Sequence, residues 1–309
     1  MNWWILLYVF IGLTILFSLP STMYLAMFLC LFRRKKEWLM EDSDLKGTQY
    51  ERYATEIKES IRIAKKMPRE DVTISAPDGV KLVGRYYERN STKTLICVHG
   101  YQSSGFNNFS LALREFTERG YNVLLIDQRA HGRSGGNFTT MGDKEQYDLL
   151  KWIDWVEKNK PNVQEIYLYG ISMGGTTIGL ASDKLGETKV KAIVMEGAFN
   201  RFYEEISWSA KKVLFKKPAI KFQILALKTF LKADMMKSAE DSLSKTNIPV
   251  LFLHTENDAS VPIKLMQKNY DACASKKEKI ILPGDEHALC FLIGGEKVRQ
   301  SIFNFLENA

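Results

Sequence analysis

The pattern of hydrophobic and polar positions divides the chain into an apolar N-terminal run and a longer region of mixed character. Residues 3–32 carry no charged side chain. As an α-helix, at about 1.5 Å per residue, this run would exceed the roughly 30 Å hydrocarbon core of a bilayer. The pattern predicts a membrane-spanning segment, in which Pro20 near the middle favours a tilt or a kink.

Two features distinguish this run from a cleaved secretory signal. No basic stretch precedes it, and no Ala-x-Ala cleavage site follows it. Four basic residues, 33–36, directly follow the run, and the positive-inside rule then places the rest of the chain on the cytoplasmic side. A conventional signal anchor would have the opposite orientation. We expect residues 1–36 to be a retained single-pass membrane anchor with its basic flank.

Residues 37–70 form a charge-rich stretch between the apolar run and the remainder of the chain. Within it, Tyr53, Ile57 and Ile61 repeat at four-residue spacing, and Pro68 follows. An apolar stripe ended by a proline is typical of a short amphipathic helix. We predict that this stretch is a helical linker next to the membrane.

From residue 71 to residue 309, short apolar runs alternate with helical patterns. Residues 71–76 and 81–88 flank a Pro-Asp-Gly turn, which predicts a hairpin. Six further apolar runs are typical of buried parallel strands: 94–98, 122–126, 165–169, 191–195, 249–253 and 279–282. Helical patterns lie between several of them, as at 149–156. This alternation predicts an α/β fold with a mostly parallel, doubly wound sheet.

The interval 199–247 is too long for a simple connection between two strands, and we expect it to form a cap. Within it, four apolar residues recur at helical spacing: Ile220, Ile224, Leu227 and Leu231. Three lysines follow a similar spacing: Lys221, Lys228 and Lys232. One interpretation is a lid helix that packs its apolar stripe over a pocket and leaves its lysines in water. The other is a basic amphipathic helix that lies on an anionic membrane.

Composition narrows the range of partners. The 309 residues are 45% hydrophobic and 26% charged, with a formal net charge of +7 at pH 7. Because the block 33–36 supplies four of those charges, the rest of the chain lacks the broad basic surface of a nucleic-acid-binding protein. The four cysteines show no CxxC or other paired spacing, which argues against a metal cluster or a disulfide framework. We therefore predict neither a nucleic-acid partner nor a bound metal.

A Gly-Ile-Ser-Met-Gly motif at 170–174 follows one predicted strand and precedes a run of small residues. In that context G-x-S-x-G describes a sharp turn that lifts the serine hydroxyl above the sheet. Ser172 is therefore the candidate nucleophile. Another predicted strand ends in His99-Gly100-Tyr101, where the backbone can bend to offer an amide. We expect the backbone N–H groups of Tyr101 and Met173 to form an oxyanion hole.

A serine nucleophile needs a base, and the base needs a partner that holds its tautomer. His287 follows the last predicted strand, where a loop can return over the sheet edge, and it is the candidate base. The three histidines with local structural interpretations are His99, His131 and His254. Asp258 follows the preceding strand and can reach the imidazole. Two other carboxylates remain alternative acids: Glu196 and Glu256.

With these motifs in the order Ser, Asp, His, the chain resembles an α/β-hydrolase of the lid-bearing serine-hydrolase type, similar to monoacylglycerol lipases and proline-iminopeptidase-like serine aminopeptidases. The resemblance covers residues 71–309. It rests on five motifs: His99-Gly100, the loop 127–134, the motif 170–174, Asp258 with Val261-Pro262, and His287. It implies an α/β-hydrolase fold with a helical cap and a structural role for the loop 127–134. Two positions depart from the family pattern, Ala130 and Thr255, where glycine is usual.

The combined expectation is a membrane-held serine hydrolase that needs no metal or organic cofactor. A capped pocket beside a membrane favours apolar acyl esters, such as monoacylglycerol-like or lysophospholipid-like substrates. The same groups cleave amides, and Glu204 or Glu205 in the cap would bind the amine of a short peptide in an aminopeptidase. A third interpretation is an inactive hydrolase fold that acts as a membrane-bound binding or scaffold protein. We infer no obligate protein partner.

Overall fold

The computed structural model describes residues 3, 28–29, 31–32, 38–209 and 217–309, and in this part eight strands form one sheet. The strands are β1 (Glu70–Ser75), β2 (Lys81–Tyr87), β3 (Lys93–Val98), β4 (Asn122–Asp127), β5 (Glu165–Ile171), β6 (Val190–Glu196), β7 (Val250–Thr255) and β8 (Lys277–Leu282). Their order is β1-β2-β4-β3-β5-β6-β7-β8. β2 pairs antiparallel with β1 and β4, and the other neighbours run parallel. The predicted hairpin and the mostly parallel sheet are confirmed.

Helices cover both faces of the sheet. Those in the described residues are α1 (Ala54–Lys66), α2 (Gly105–Glu118), α3 (Glu145–Asn159), α4 (Met173–Ala181), α5 (Phe202–Ser209), α6 (Lys217–Leu231), α7 (Ala239–Leu243), α8 (Ile263–Ala272), α9 (Cys290–Ile293) and α10 (Gly295–Glu307). Successive strand residues point to opposite faces. Leu95 and Cys97 of β3 therefore join the core under α1, α2, α9 and α10. Ile96 and Val98 join the core under α3, α4, α7 and α8.

Helix α1 packs on the body of the protein through the apolar stripe found in the sequence. Its buried residues, Ile57, Ile61 and Ala64, belong to the same core cluster as α2. Across this contact the hydroxyl oxygens of Ser60 and Ser110 lie 2.9 Å apart. The helix predicted within residues 37–70 is therefore present, and its apolar face is buried against the sheet domain.

The described part of the chain contains no helix that is long and apolar enough to cross a bilayer. Residues 4–27, which make up most of the predicted anchor, and the basic block 33–36 lie outside the described residues. At the end of the apolar run, Phe32 forms a β-bridge with Phe138. Phe28 meets the ring of Phe138 edge-on, with 4.9 Å between the ring centroids. The end of the apolar run thus contacts the body of the protein.

Helices α5 and α6 occupy the interval between β6 and β7 where the sequence predicts a cap. The four residues of the apolar stripe on α6 are buried: Ile220, Ile224, Leu227 and Leu231. They share a core cluster with Met173, Phe199 and Val261, which places α6 over the carboxyl edge of the sheet. Lys221 and Lys228 of the helix and Lys232 just beyond its end are exposed. Of the two interpretations, a helix packed over the body accounts for the burial of the stripe.

Candidate active site

Ser172 lies in a strained turn between β5 and α4. Its φ of 54° and ψ of −119° lie outside the regions that L-residues favour. A Cβ on Gly170 would stand 2.5 Å from the carbonyl oxygen of Gly174, and a Cβ on Gly174 would overlap the carbonyl oxygen of Val98. Both glycines of the motif are therefore required for the close approach of the backbone. The turn leaves the serine hydroxyl at the carboxyl edge of the sheet.

The structure brings together the three side chains that the sequence singled out. Nε2 of His287 lies 2.9 Å from Oγ of Ser172, and Nδ1 of His287 lies 2.7 Å from Oδ2 of Asp258. The other carboxylate oxygen of Asp258 accepts hydrogen bonds from the backbone N–H groups of Ser260 and Val261, both at 2.8 Å. One oxygen of this buried carboxylate thus orders its own loop while the other faces the imidazole.

The loop that carries His287 is held by side chains from two other segments. The hydroxyl of Thr255 donates to the carbonyl oxygen of Glu286 at 2.8 Å, so the threonine that departs from the family pattern supports this loop. The backbone N–H of His287 donates to Oε1 of Gln49 at 2.7 Å. Tyr53 donates to Oε1 of Glu286 at 3.4 Å. Sequence reasoning missed Gln49, because nothing in the local pattern signals a partner 238 positions away.

Glu196, one of the alternative acids, is buried, and its two carboxylate oxygens bind groups other than the imidazole. Its Oε1 accepts from the backbone N–H of Cys290 at 2.6 Å, and its Oε2 accepts from the hydroxyl of Tyr169 at 2.5 Å. Burial raises the pKa of Glu196, against the lowering effect of these hydrogen bonds. Glu256, the other alternative, is exposed. Asp258 is the carboxylate within hydrogen-bond distance of the imidazole.

The other three histidines have backbone partners. Nε2 of His99 accepts from the N–H of Gln128 at 3.0 Å, and Nε2 of His131 accepts from the N–H of Gln102 at 3.1 Å. Burial lowers the pKa of His99 to about 3, so this ring stays neutral. Nε2 of His254 lies 2.8 Å from a backbone carbonyl oxygen in the loop after β7. Each of the three serves local structure, as the sequence indicates.

The segments that carry Tyr101 and Met173 approach each other beside Ser172. Met173 is the first residue of α4, where backbone N–H groups have no partner within the helix. The N–H of Gly100 donates to Oδ1 of Asn108 at 2.8 Å, which fixes the backbone just before Tyr101. A Cβ built on Gly100 would lie 3.2 Å from Cβ of Ser172. The predicted positions of the two oxyanion donors therefore flank the serine.

A cleft of about 380 Å³ opens above Ser172. Its walls come from the chain before α1 on one side and from the strand ends on the other; they include Trp38, Met40, Tyr50, Tyr101, Ile171, Ser172 and His287. Burial raises the pKa of the Tyr50 hydroxyl. Sequence patterns do not indicate that residues 38–50 line a cleft, because this stretch has no periodic pattern and its short turns are irregular.

The loop 127–134 is a rigid support for this region. Arg85 pairs with Asp127 at 2.8 Å, and Arg129 pairs with Asp148 at 2.6 Å, all in buried positions. Burial raises the pKa of Asp148 to about 6. Ala130, which stands where glycine is usual, has a φ of 59°, the conformation that favours glycine. The loop contacts are structural, as the resemblance implies.

The described residues offer few side chains suited to binding a metal or to thiol chemistry. In that part of the chain no group of three or more His, Cys, Asp or Glu side chains could hold a metal ion. Cys97 and Cys290 are free and buried, and burial raises the pKa of both thiols. A raised pKa disfavours the thiolate that binds metals or attacks a substrate.

Comparison with known protein sequences places the chain among hydrolases. The X-Pro dipeptidyl-peptidase (S15) family matches residues 48–242. The uncharacterised protein YqkD of Bacillus subtilis is 26% identical over 249 residues, which is 78% of this chain and 80% of that protein. The lysophosphatidylserine lipase ABHD12 of Macaca fascicularis is 26% identical over 226 residues, 67% of this chain and 55% of the lipase. The match thus spans about half of that longer relative.

Solved structures show the same fold. The esterase Pf2001 of Pyrococcus furiosus superposes with a TM-score of 0.65 at 25% identity, over 80% of this chain and 94% of that enzyme. Est1E of Butyrivibrio proteoclasticus, solved with ferulic acid, superposes with a TM-score of 0.59 at 21% identity, over 77% of this chain and 98% of Est1E. Because the family match covers more than half of the chain and the sheet has this topology, the protein belongs to the S15 peptidase family within the α/β-hydrolase superfamily.

Proposed function

We propose that the protein is a membrane-anchored serine hydrolase that cleaves carboxylic esters through an acyl-enzyme intermediate. The observation that carries the proposal is the continuous hydrogen-bonded series from Ser172 through His287 to Asp258. A hydroxyl within 2.9 Å of an imidazole that is itself oriented by a buried carboxylate has the arrangement that activates a serine nucleophile.

In the proposed reaction, Oγ of Ser172 attacks the ester carbonyl carbon while Nε2 of His287 accepts the hydroxyl proton. Asp258 holds Nδ1–H of the ring and stabilises the imidazolium. The tetrahedral oxyanion is bound by the N–H groups of Tyr101 and Met173. His287 then protonates the leaving alcohol, and in the second half-reaction it activates the water that releases the acid. No step requires a metal or an organic cofactor.

The expected substrates are small acyl esters with an apolar acyl group. Trp38, Met40, Tyr101 and Ile171 give the cleft an apolar wall, and Gln102, Ser103 and Asn108 add polar groups beside it. Such a mixed lining suits an apolar acyl chain joined to a polar head. Two similar proteins support this class, since one is a lysophosphatidylserine lipase and another is an esterase. Monoacylglycerol-like and lysophospholipid-like esters are therefore the first substrates to test.

Membrane anchoring is part of the proposal and is supported by the sequence. The run 3–32 is uncharged, and the basic block 33–36 follows it, so we propose a single-pass anchor with the catalytic domain on the cytoplasmic side. We propose three parts: the anchor 1–36, the helical segment 37–70, and the hydrolase domain 71–309 with its cap near 199–247. A reporter fused after Ala309 tests the orientation, and activity of that reporter outside the cytoplasm would contradict it.

A peptidase is the second candidate function, because the chain matches a peptidase family and because of Glu205. Glu205 on α5 is half-buried, and burial raises its pKa. The electrostatic effect of His287 opposes that rise. Its neighbour Glu204 is instead paired with Lys268 at 2.5 Å. Oε1 of Glu205 accepts from the hydroxyl of Ser209 at 2.9 Å, and we propose that the carboxylate also binds the amine of a short peptide.

The deciding experiment labels the full chain, purified in detergent, with a fluorophosphonate probe. We expect labelling that disappears in Ser172→Ala and persists in Ser301→Ala, a half-buried serine on α10. Hydrolysis of p-nitrophenyl esters of graded chain length is then compared with hydrolysis of aminoacyl anilides. Faster turnover of the anilides would favour the peptidase. Absence of labelling in the folded protein would favour a binding or scaffold role.

A further inference from the structure

The outer surface of helix α6 carries two distinct stripes besides the buried one. At about 100° per residue, Phe222 and Leu225 face away from the side that packs on the body, and Phe230 lies at the flank of the helix beside Phe138. Lys221 and Lys228 lie along one edge of these apolar residues, and Lys232 follows just beyond the end of the helix. The helix is therefore apolar on two sides and basic on a third. A helix whose outer side faces only water normally carries polar residues there.

Exposed apolar residues are concentrated on this helix and on the N-terminal segment. Phe222, Leu225 and Phe230 are 66%, 46% and 55% exposed. Of the eight large hydrophobic side chains exposed in the described residues, seven lie on α6 or in the chain up to residue 38. Such a concentration marks an interaction surface, since single exposed apolar residues are normally scattered.

An aromatic cluster joins α6 to the end of the uncharged run. The ring of Phe230 lies 5.5 Å from that of Phe28 and 5.6 Å from that of Phe138, between centroids. Phe32 packs on Phe138 at 5.2 Å. The exposed apolar face of α6 is therefore continuous with the last residues of the segment 3–32, which we propose to be embedded in the membrane.

The charge of the cap complements an anionic surface. The interval 199–247 contains ten Lys or Arg residues and five Asp or Glu residues. Lys228 is paired with Asp234 at 2.7 Å, whereas Lys221 and Lys232 form no ion pair with the described residues. A second copy of the chain docked on the same face by a two-fold axis perpendicular to the helix would bring the lysines of the two copies together, which their like charges oppose. Anionic lipid headgroups would instead neutralise them.

We propose that the outer face of α6 lies in the headgroup region of an anionic bilayer, as a second membrane contact beside the N-terminal anchor. Phe222, Leu225 and Phe230 enter the acyl boundary, and Lys221 and Lys232 reach the lipid phosphates along the edge. The cap is then held at the membrane surface independently of catalysis. This contact goes beyond the proposed hydrolysis and does not depend on it.

The test places a fluorescent label on the full chain in lipid nanodiscs. Cys30→Ser removes the cysteine in the apolar run, and the three remaining cysteines are buried. Phe222→Cys then carries an environment-sensitive dye, and Lys151→Cys, exposed on α3, is the matched control. In nanodiscs of phosphatidylcholine with phosphatidylglycerol, we expect lipids with nitroxide on the acyl chain to quench the dye at 222 several-fold more strongly than the dye at 151.

A charge-reversal variant tests whether the lysines contribute to the membrane contact, as distinct from nonspecific adsorption of an apolar surface. Reversing Lys221, Lys228 and Lys232 to Glu should reduce quenching at 222 towards the level at 151. Reversing three other exposed lysines, Lys151, Lys191 and Lys245, makes the same change in net charge and should leave it unchanged. Equal quenching at 222 and 151 would overturn the proposal. A second result would also overturn it. If neither aqueous iodide nor the nitroxide lipids quenched the dye at 222, a protein and not the bilayer would cover this face. Because no arm measures hydrolysis, an inactive enzyme would leave the result interpretable.

Discussion

The side chain of Asn107 forms hydrogen bonds with the backbone of both Trp38 and Met40. Its Oδ1 accepts from the N–H of Met40 at 2.9 Å, and its Nδ2 donates to the carbonyl oxygen of Trp38, also at 2.9 Å. The buried start of α2 thereby fixes an irregular segment of chain as one wall of the cleft. Because Trp38 and Met40 line that cleft, this asparagine positions a surface on which the proposed substrate would rest.

Replacing Asn107 with Ala should detach the segment that carries Trp38 and Met40 from the start of α2. Two backbone groups lose their partners, and the free energy of unfolding should fall by about 1–3 kcal/mol. We expect a higher KM for acyl esters with a smaller change in kcat, and faster proteolysis between residues 38 and 50. Asn159→Ala, at the exposed end of α3, is the control. An unchanged KM and an unchanged proteolysis rate would contradict the role of Asn107.

Replacing Asp258 with Asn should reduce kcat by roughly 10⁴, because the amide cannot hold the required imidazole tautomer. The matched control is Glu256→Gln, which removes an exposed carboxylate from the same loop and should leave kcat within about twofold of the wild type. Steady-state hydrolysis of a short p-nitrophenyl ester measures both. Loss of activity in the control but not in Asp258→Asn would move the acid role to Glu256.

Two substitutions of Glu196 should separate its structural role from an acid role. Glu196→Ala leaves the hydroxyl of Tyr169 and the N–H of Cys290 unpaired in a buried site, and we expect a loss of about 1–3 kcal/mol for each. In Glu196→Gln the amide oxygen can still accept from the N–H of Cys290, and the amide NH2 can donate to the hydroxyl oxygen of Tyr169, so activity should persist. A drop in kcat for Glu196→Gln as large as that for Asp258→Asn would show that Glu196 acts on the imidazole.

The pH dependence of Glu196→Gln has a defined sign. Burial raises the pKa of Glu196 in the folded state, so the folded protein binds more protons than the unfolded chain between the two pKa values. The stability of the wild type therefore falls as pH rises through that window. The glutamine variant lacks this titration and should gain stability relative to the wild type over the same pH range, measured by urea unfolding.

The titration of His99 should make the free energy of unfolding change with pH in the opposite direction. Its pKa in the folded protein is about 3 because the ring is buried, whereas the unfolded residue titrates near ~6.5. Below that value the unfolded chain binds the extra proton, so the free energy of unfolding falls by up to about 1.4 kcal/mol per pH unit on acidification. His99→Gln should flatten this slope between pH 6.5 and 4. A slope identical to that of the wild type would contradict the assignment.

The sheet and the reactive cluster were predictable because each has a local signal. Apolar runs bounded by turns marked the strands, and β5 extends to Ile171 beyond the predicted end because the motif continues the strand into the turn. Ser172, Asp258 and His287 follow three strands of one parallel sheet, whose carboxyl ends share an edge. Gln49 and Asn107 could not be found in this way. Their contacts reach segments that are distant in sequence, and neither residue belongs to a motif.

The contacts of residues 38–53 define how much chain the catalytic unit needs. A fragment that began at β1 would keep Ser172, Asp258 and His287 but would lose Gln49 and one side of the cleft. We expect such a fragment to fold poorly around its reactive histidine, while one that begins just before Trp38 retains a complete centre. We therefore expect the smallest active fragment to start within a few residues of the uncharged run. Under the proposed anchoring, its cleft would then lie next to the point at which the chain leaves the lipid.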